Sequence, residues 1–249
     1  LLMRLAQEIK EGQRLGVVCS YPLVDEHDRI LWISKFPNME AVEALRKTVV
    51  DDITWHREYL LNLLSASEQV IKPEWIVHYE TDNPPVFENF RYFATGIDPA
   101  ISLKDMSDKT AMVSARVYGF GKKLRVVVQP YPVNEHLDFP RTLEKAKSLS
   151  DSIGQDENPK IFVEHVAYQQ SLTEQLVADG YDAEGVELGG ADKRTRLSLI
   201  SALIQSGQVL FPKRGADALI AQLTGFGAER HDDLADALVI LLLKVMEDK

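Results

Sequence analysis

The stretch His231-Asp232-Asp233-Leu234-Ala235-Asp236-Ala237, which runs into Leu238-Val239-Ile240-Leu241-Leu242-Leu243, governs how the rest of the chain is read. Its three carboxylates stand at the mouth of an apolar, helix-forming run, where burying uncompensated charge is very costly. An Asp at a helix start accepts a free backbone N–H and suits the positive end of the dipole, which accounts for Asp232 or Asp233. It does not account for Asp236. That residue lies about one turn further in and shares a helix face with Asp232 and Asp233. Such a face calls for a cation, and so for partner acids elsewhere in the chain.

With 249 residues and a 45% hydrophobic fraction, the chain has room for one large domain or two small ones. A formal charge of −10 argues against a protein that coats nucleic acid, because sequence-independent phosphate affinity needs a surplus of Lys and Arg. Any DNA contact must be local. The single cysteine, Cys19, excludes an intramolecular disulfide and a cysteine-based zinc site. It points to a reducing cytoplasm and reads as a small buried apolar residue. No apolar run approaches the roughly eighteen residues of a membrane span, so no membrane role is expected. The opening Leu1-Leu2-Met3-Arg4-Leu5 lacks the order of a signal peptide and reads as a chain entered in mid-element.

Thr81-Asp82-Asn83-Pro84-Pro85 is the clearest punctuation, since two prolines cannot continue a helix and bias what precedes them to extended backbone. A domain boundary is expected there, dividing 1–83 from 84–249. Upstream, 1–13, Met39–Arg46 and 51–64 carry helical spacing, and 15–19 is strand-like. Downstream, strands are expected at Phe90–Asp98, Thr110–Tyr118, 124–128, Lys160–Glu164, 182–187 and 209–211. Helices are expected at 138–149, 168–178, Lys193–Gln205 and 216–223. Gly119-Phe120-Gly121-Lys122-Lys123 has the wrong spacing for a phosphate loop and reads as a hairpin turn. Strands alternating with helices after a β-meander predict an α/β class, a sheet layered with helices.

The predicted strands Phe90–Asp98 and Lys160–Glu164 end in acids. In open α/β sheets, sites lie at the carboxyl ends of strands, where these acids could converge with the helix start that carries Asp232, Asp233 and Asp236. Hard oxygen ligands of this kind suit Mg²⁺ or Mn²⁺ and not zinc. Two such ions, about 3.5–4 Å apart, can activate a water and stabilise the leaving oxygen of a phosphodiester.

Several segments, in order, carry a resemblance. They are Gly96-Ile97-Asp98-Pro99-Ala100, Asp108-Lys109-Thr110-Ala111, Val163-Glu164 with Tyr168-Gln169-Gln170, Lys193-Arg194-Thr195-Arg196, and the 231–237 stretch. Together they resemble the nuclease domain of the large subunit of a tailed-phage or prophage terminase, from about residue 88 to the end. Trp55-His56-Arg57-Glu58-Tyr59-Leu60-Leu61 and the segment 68–76 resemble the part linking that family's ATPase to its nuclease. The resemblance implies a ribonuclease H-like mixed sheet flanked by helices. It also implies a two-metal endonuclease cutting concatemeric double-stranded viral DNA during genome packaging in the cytoplasm of a bacterial host. Its expected partners are the terminase small subunit and the portal protein, with self-assembly on the portal open.

By motif position, the resemblance makes Asp98, Glu164 and Asp233 metal-binding acids, with Asp236 a further ligand or an acid beside them. Asp232 is then the helix cap. His231 either orients a water or phosphate or serves a structural role beside the cap, and Asp108 either approaches the site or is an exposed turn acid. Residues 1–83 correspond to the end of the ATPase domain and the linker, and without a phosphate-binding loop no motor activity is expected from this chain.

Between Asp192 and Arg230, the basic residues Lys193, Arg194, Arg196, Lys213, Arg214 and Arg230 outnumber Asp192, Asp217 and Glu229. This segment is the candidate phosphate-contacting surface, against the alternative of ordinary solvated helix faces. Two other readings compete with the packaging endonuclease: a resolvase- or transposase-like nuclease on branched DNA, and a non-catalytic module that docks on a portal.

Overall fold

The computed structural model describes residues 15–17, 19, 21–25, 27–49, 55, 58–61, 69–99, 109–154, 158–165, 170–189, 192–226 and 232–248. It comprises two compact units, Leu1–Ser65 and Ala66–Lys249.

In the first unit, Leu23, Phe36, Val42 and Trp55 are buried together, with the Trp55 and Tyr59 rings stacked at 5.0 Å. Helix α1 (Met39–Arg46) starts where predicted, because the extended Asn38 accepts the N–H of Ala41 at 2.9 Å. The strand-like run at 15–19 is not a strand at its described positions, and Leu15, Val17 and Cys19 are exposed. A short apolar run becomes a strand only against a partner edge, and these positions pair with none. The helices expected at 1–13 and 51–64 lie largely outside the described residues.

The second unit is built on strands β1 (Val77–Tyr79), β2 (Phe90–Asp98), β3 (Thr110–Tyr118), β4 (Arg125–Val128), β5 (Val133–Glu135), β6 (Lys160–Glu164), β7 (Asp182–Val186) and β8 (Val209–Pro212). They form one mixed eight-stranded sheet in the order β1-β8-β4-β3-β2-β6-β7, with β5 also on β3. Only β3 runs against the rest, so the carboxyl ends of the other strands share one edge. β1 belongs to this sheet, and the compact unit begins upstream of the double proline. A three-residue strand is too short to show alternation, which is why β1 and β5 left no pattern in the sequence.

Helices α2 (Phe139–Gly154) and α3 (Gln170–Ala178) cover one face, packing Ala146, Leu172 and Leu176 on Ile97, Met112, Ile161 and Val163. Helices α4 (Lys193–Gln205), α5 (Asp217–Thr224) and α6 (Asp233–Glu247) cover the other. α6 is buried almost all round, as its continuous apolar run requires. It lies in a trough of small residues, Ala94, Gly96, Ala111 and Ala115 on β2 and β3. A Cβ on Gly96 would stand 2.2 Å from the Ala237 carbonyl oxygen and 2.9 Å from the Leu241 Cβ. Here helix backbone touches strand backbone. α6 runs antiparallel to β2, and past its end the Asp248 carboxylate accepts Tyr92 Oη at 2.7 Å, Lys160 Nζ at 3.1 Å and an Arg91 nitrogen at 3.2 Å.

Candidate metal centre

β2 and β6 are parallel neighbours with Gly96 opposite Phe162 and Ile97 opposite Val163, so Asp98 and Glu164 fall side by side as each strand ends. Strand alternation puts both on the same face as Gly96 and Phe162, toward α6. Their carboxyl groups hydrogen-bond each other. The close seat of α6 on Gly96 then delivers its first turn to the same place, with Asp233 and Asp236 acting electrostatically on Asp98. Burial, followed by the charges of Glu164, Asp236 and Asp233, holds the Asp98 carboxyl well above the ordinary carboxylate range. Asp236 is 4% exposed, and its carboxyl is also raised by burial, against the pull of Lys193.

Two cations from α4 meet these acids. Asp192 caps α4 by accepting the Thr195 N–H at 2.8 Å, and the first turn so fixed carries Lys193 and Arg196. Lys193 Nζ sits 2.6 Å from Asp232 and 2.7 Å from Asp236. Burial works against its charge, yet the hydrogen bonds to the two acids outweigh it and raise its pKa. Arg196 lies 3.3 Å from Glu164 and 3.8 Å from Asp236, more loosely, with its Nε buried and without a hydrogen-bond partner.

The structure corrects the expected role of Asp232. It occupies the N-cap position of α6 but makes no side-chain cap bond, because its carboxylate is turned to Lys193. Gln222 of α5 caps in its place, accepting the N–H groups of Leu234 at 2.8 Å and Ala235 at 3.2 Å. That residue escaped sequence reading. Its signal was a long polar side chain among the apolar residues of α5, next to Leu219 and Leu223.

Of the residues expected to face phosphate, Lys193 and Arg196 thus lie on the acids themselves. Lys213 and Arg214 extend from the end of β8, at the same sheet edge as Asp98, and are exposed in ion pairs with Glu80 and Asp82. Those partners lie outside the window in which the basic surplus was found. Arg194 is exposed on α4. Asp108, His231, Tyr168 and Gln169 lie outside the described residues.

The donor chemistry fits a hard divalent cation: Asp98, Glu164, Asp233 and Asp236 supply carboxylate oxygens only, at a point where their charges oppose one another. The arrangement as it stands does not yet fit, since among the described residues no group of three such side chains is placed to hold a metal ion. Lys193 and Arg196 stand on the oxygens an ion would use.

No family model and no curated protein matches the chain. Solved structures do. The large terminase nuclease from thermophilic phage G20c with bound magnesium is 14% identical, with 71% of this chain and 97% of that chain covered and a TM-score of 0.50. The same nuclease with bound zinc is 16% identical over 67% of this chain and 92% of that one, at 0.46. The P22 large terminase nuclease domain is 14% identical over 69% and 97%, at 0.41. At such identities a likeness speaks to fold, and the mixed sheet with helices on both faces agrees with it: the chain has the ribonuclease H-like fold of the large terminase nucleases.

Proposed function

We propose that the second unit is a divalent-metal-dependent endonuclease that cuts concatemeric double-stranded DNA during phage genome packaging. One observation carries this reading: Asp98 and Glu164, at the ends of neighbouring parallel strands, meet Asp233 and Asp236 of α6 across the bare Gly96. The fold shared with a magnesium-bound terminase nuclease supports it. These four carboxylates would hold Mg²⁺ or Mn²⁺ as two ions. When bound, such ions supply the positive charge that lowers the pKa of an attacking water and stabilises the leaving oxygen.

The rest falls to the chain's own residues. Gln222 fixes the first turn of α6, and with it the position of Asp233 and Asp236. Lys213 and Arg214, three strands along the edge from β2 and so about 14 Å away, would hold phosphates beyond the cut site. Arg194, exposed on α4, would do so beside it. The overall charge of −10 suits an enzyme to which DNA is presented, and the terminase small subunit and portal protein, in the bacterial host cytoplasm, are the proposed presenters. Residues 1–65 would be the end of an ATPase region and its linker, with no motor activity of their own.

The test is nicking and linearisation of plasmid DNA by the purified chain in Mn²⁺ or Mg²⁺. Cutting should vanish with EDTA and fall about a thousandfold in Asp98→Ala, equal to ~4 kcal/mol of transition-state stabilisation. Undiminished cutting by a folded Asp98→Ala protein overturns the assignment.

A further inference from the structure

We propose that Lys193 is a built-in counterion of Asp236, which a divalent cation must displace, so that this one side chain sets how readily the centre loads. The inference rests on the metal-site reading above and concerns what stands in the ion's way.

Asp236 is buried deep enough that it cannot stay charged without a partner, and Lys193 Nζ at 2.7 Å is that partner. Lys193 itself is 48% exposed, on a flexible stem, so it can leave toward solvent without disturbing the core. Arg196 differs in both respects. It is 11% exposed, its contacts are longer, and its buried Nε lacks a partner, so it is walled in beside Glu164. Of the two cations, Lys193 is therefore the one free to exchange. The exchange is favoured by charge, since a divalent ion offers Asp236 and its neighbouring carboxylates twice the charge that one ammonium does. The same ammonium ties Asp236 to Asp232.

A purely structural Lys193 and an exchanging one predict opposite results. In the full chain, Lys193→Met should lower the metal-free melting temperature yet tighten Mn²⁺ binding about tenfold, read by the electron paramagnetic resonance signal of free Mn²⁺. Lys193→Arg, which keeps the charge, should bind Mn²⁺ as weakly as the wild type. Should the Met variant fail to fold, a Mn²⁺-soaked wild-type crystal gives the same answer, with Lys193 Nζ more than 4 Å from Asp236. Equal or weaker Mn²⁺ binding by Lys193→Met, or Lys193 still seated on Asp236 beside a bound Mn²⁺, overturns the proposal. Mn²⁺ binding to neither wild type nor variant overturns the metal centre along with it.

Discussion

The two ends of α6 are made of the same parts and behave oppositely. At the far end, the single carboxylate of Asp248 gathers Tyr92, Lys160 and Arg91, and the hydrogen bond from Tyr92, ahead of the opposing effect of burial, leaves it below the ordinary carboxylate range. At the near end, Lys193 and Arg196 face a crowd of acids too large for them, and burial drives Asp98 and Asp236 above that range. One end is a settled electrostatic contact that fixes the helix in place. The other is electrostatically unsettled, with acids outnumbering the cations that reach them. The same residue type is thus held in opposite directions at the two ends by what surrounds it.

Breaking the contrast at its hinge should have the largest effect. Gly96→Ala drives a methyl into the Ala237 carbonyl, so α6 must lift off the sheet. A loss of about 3 kcal/mol is expected in urea denaturation, together with loss of DNA cutting, as overpacking against backbone has no side chain to yield. Next comes Gln222→Leu, which leaves two buried N–H groups at the start of α6 unbonded. About 2 kcal/mol of stability should go, with reduced cutting because Asp233 and Asp236 lose their register.

The smallest effects sharpen the contrast by differing in sign. Asp98→Asn puts a permanently neutral group where burial and the neighbouring acids oppose an ionised one, and should raise stability by about 1 kcal/mol while abolishing cutting. Asp248→Asn should lower it by about 0.5–1 kcal/mol, the scale of a partly exposed ion pair. Because Asp248 titrates lower folded than unfolded, its contribution is present above the ordinary carboxylate pKa and fades as pH falls below it. The stability gap between wild type and Asp248→Asn should therefore close on acidification, which denaturation at pH 7 and pH 3 would measure.

Much of this was legible before any coordinates. β2, β3, β6 and α4 have the bounds their patterns predicted, since each is long or bordered by clear turns and caps. Asp98 and Glu164 were conspicuous because each closes a run that reads clearly as a strand. What could not be read was pairing across distance. Lys193 and Arg196 were counted as part of a basic surface, because sign is visible in a sequence and partner is not. Asp232 had the position and residue type of a cap, and only the nearness of Lys193 turns it elsewhere, leaving the task to Gln222 from another helix.

The missing side chain at Gly96 acts as a ruler. Because α6 rests on β2 main chain to main chain, the span between strand acids and helix acids is set by the polypeptide itself and not by rotamers that neighbouring residues could adjust. Retuning which cation the centre prefers would thus have to proceed by exchanging donor groups, one carboxylate for another, within a spacing that stays constant.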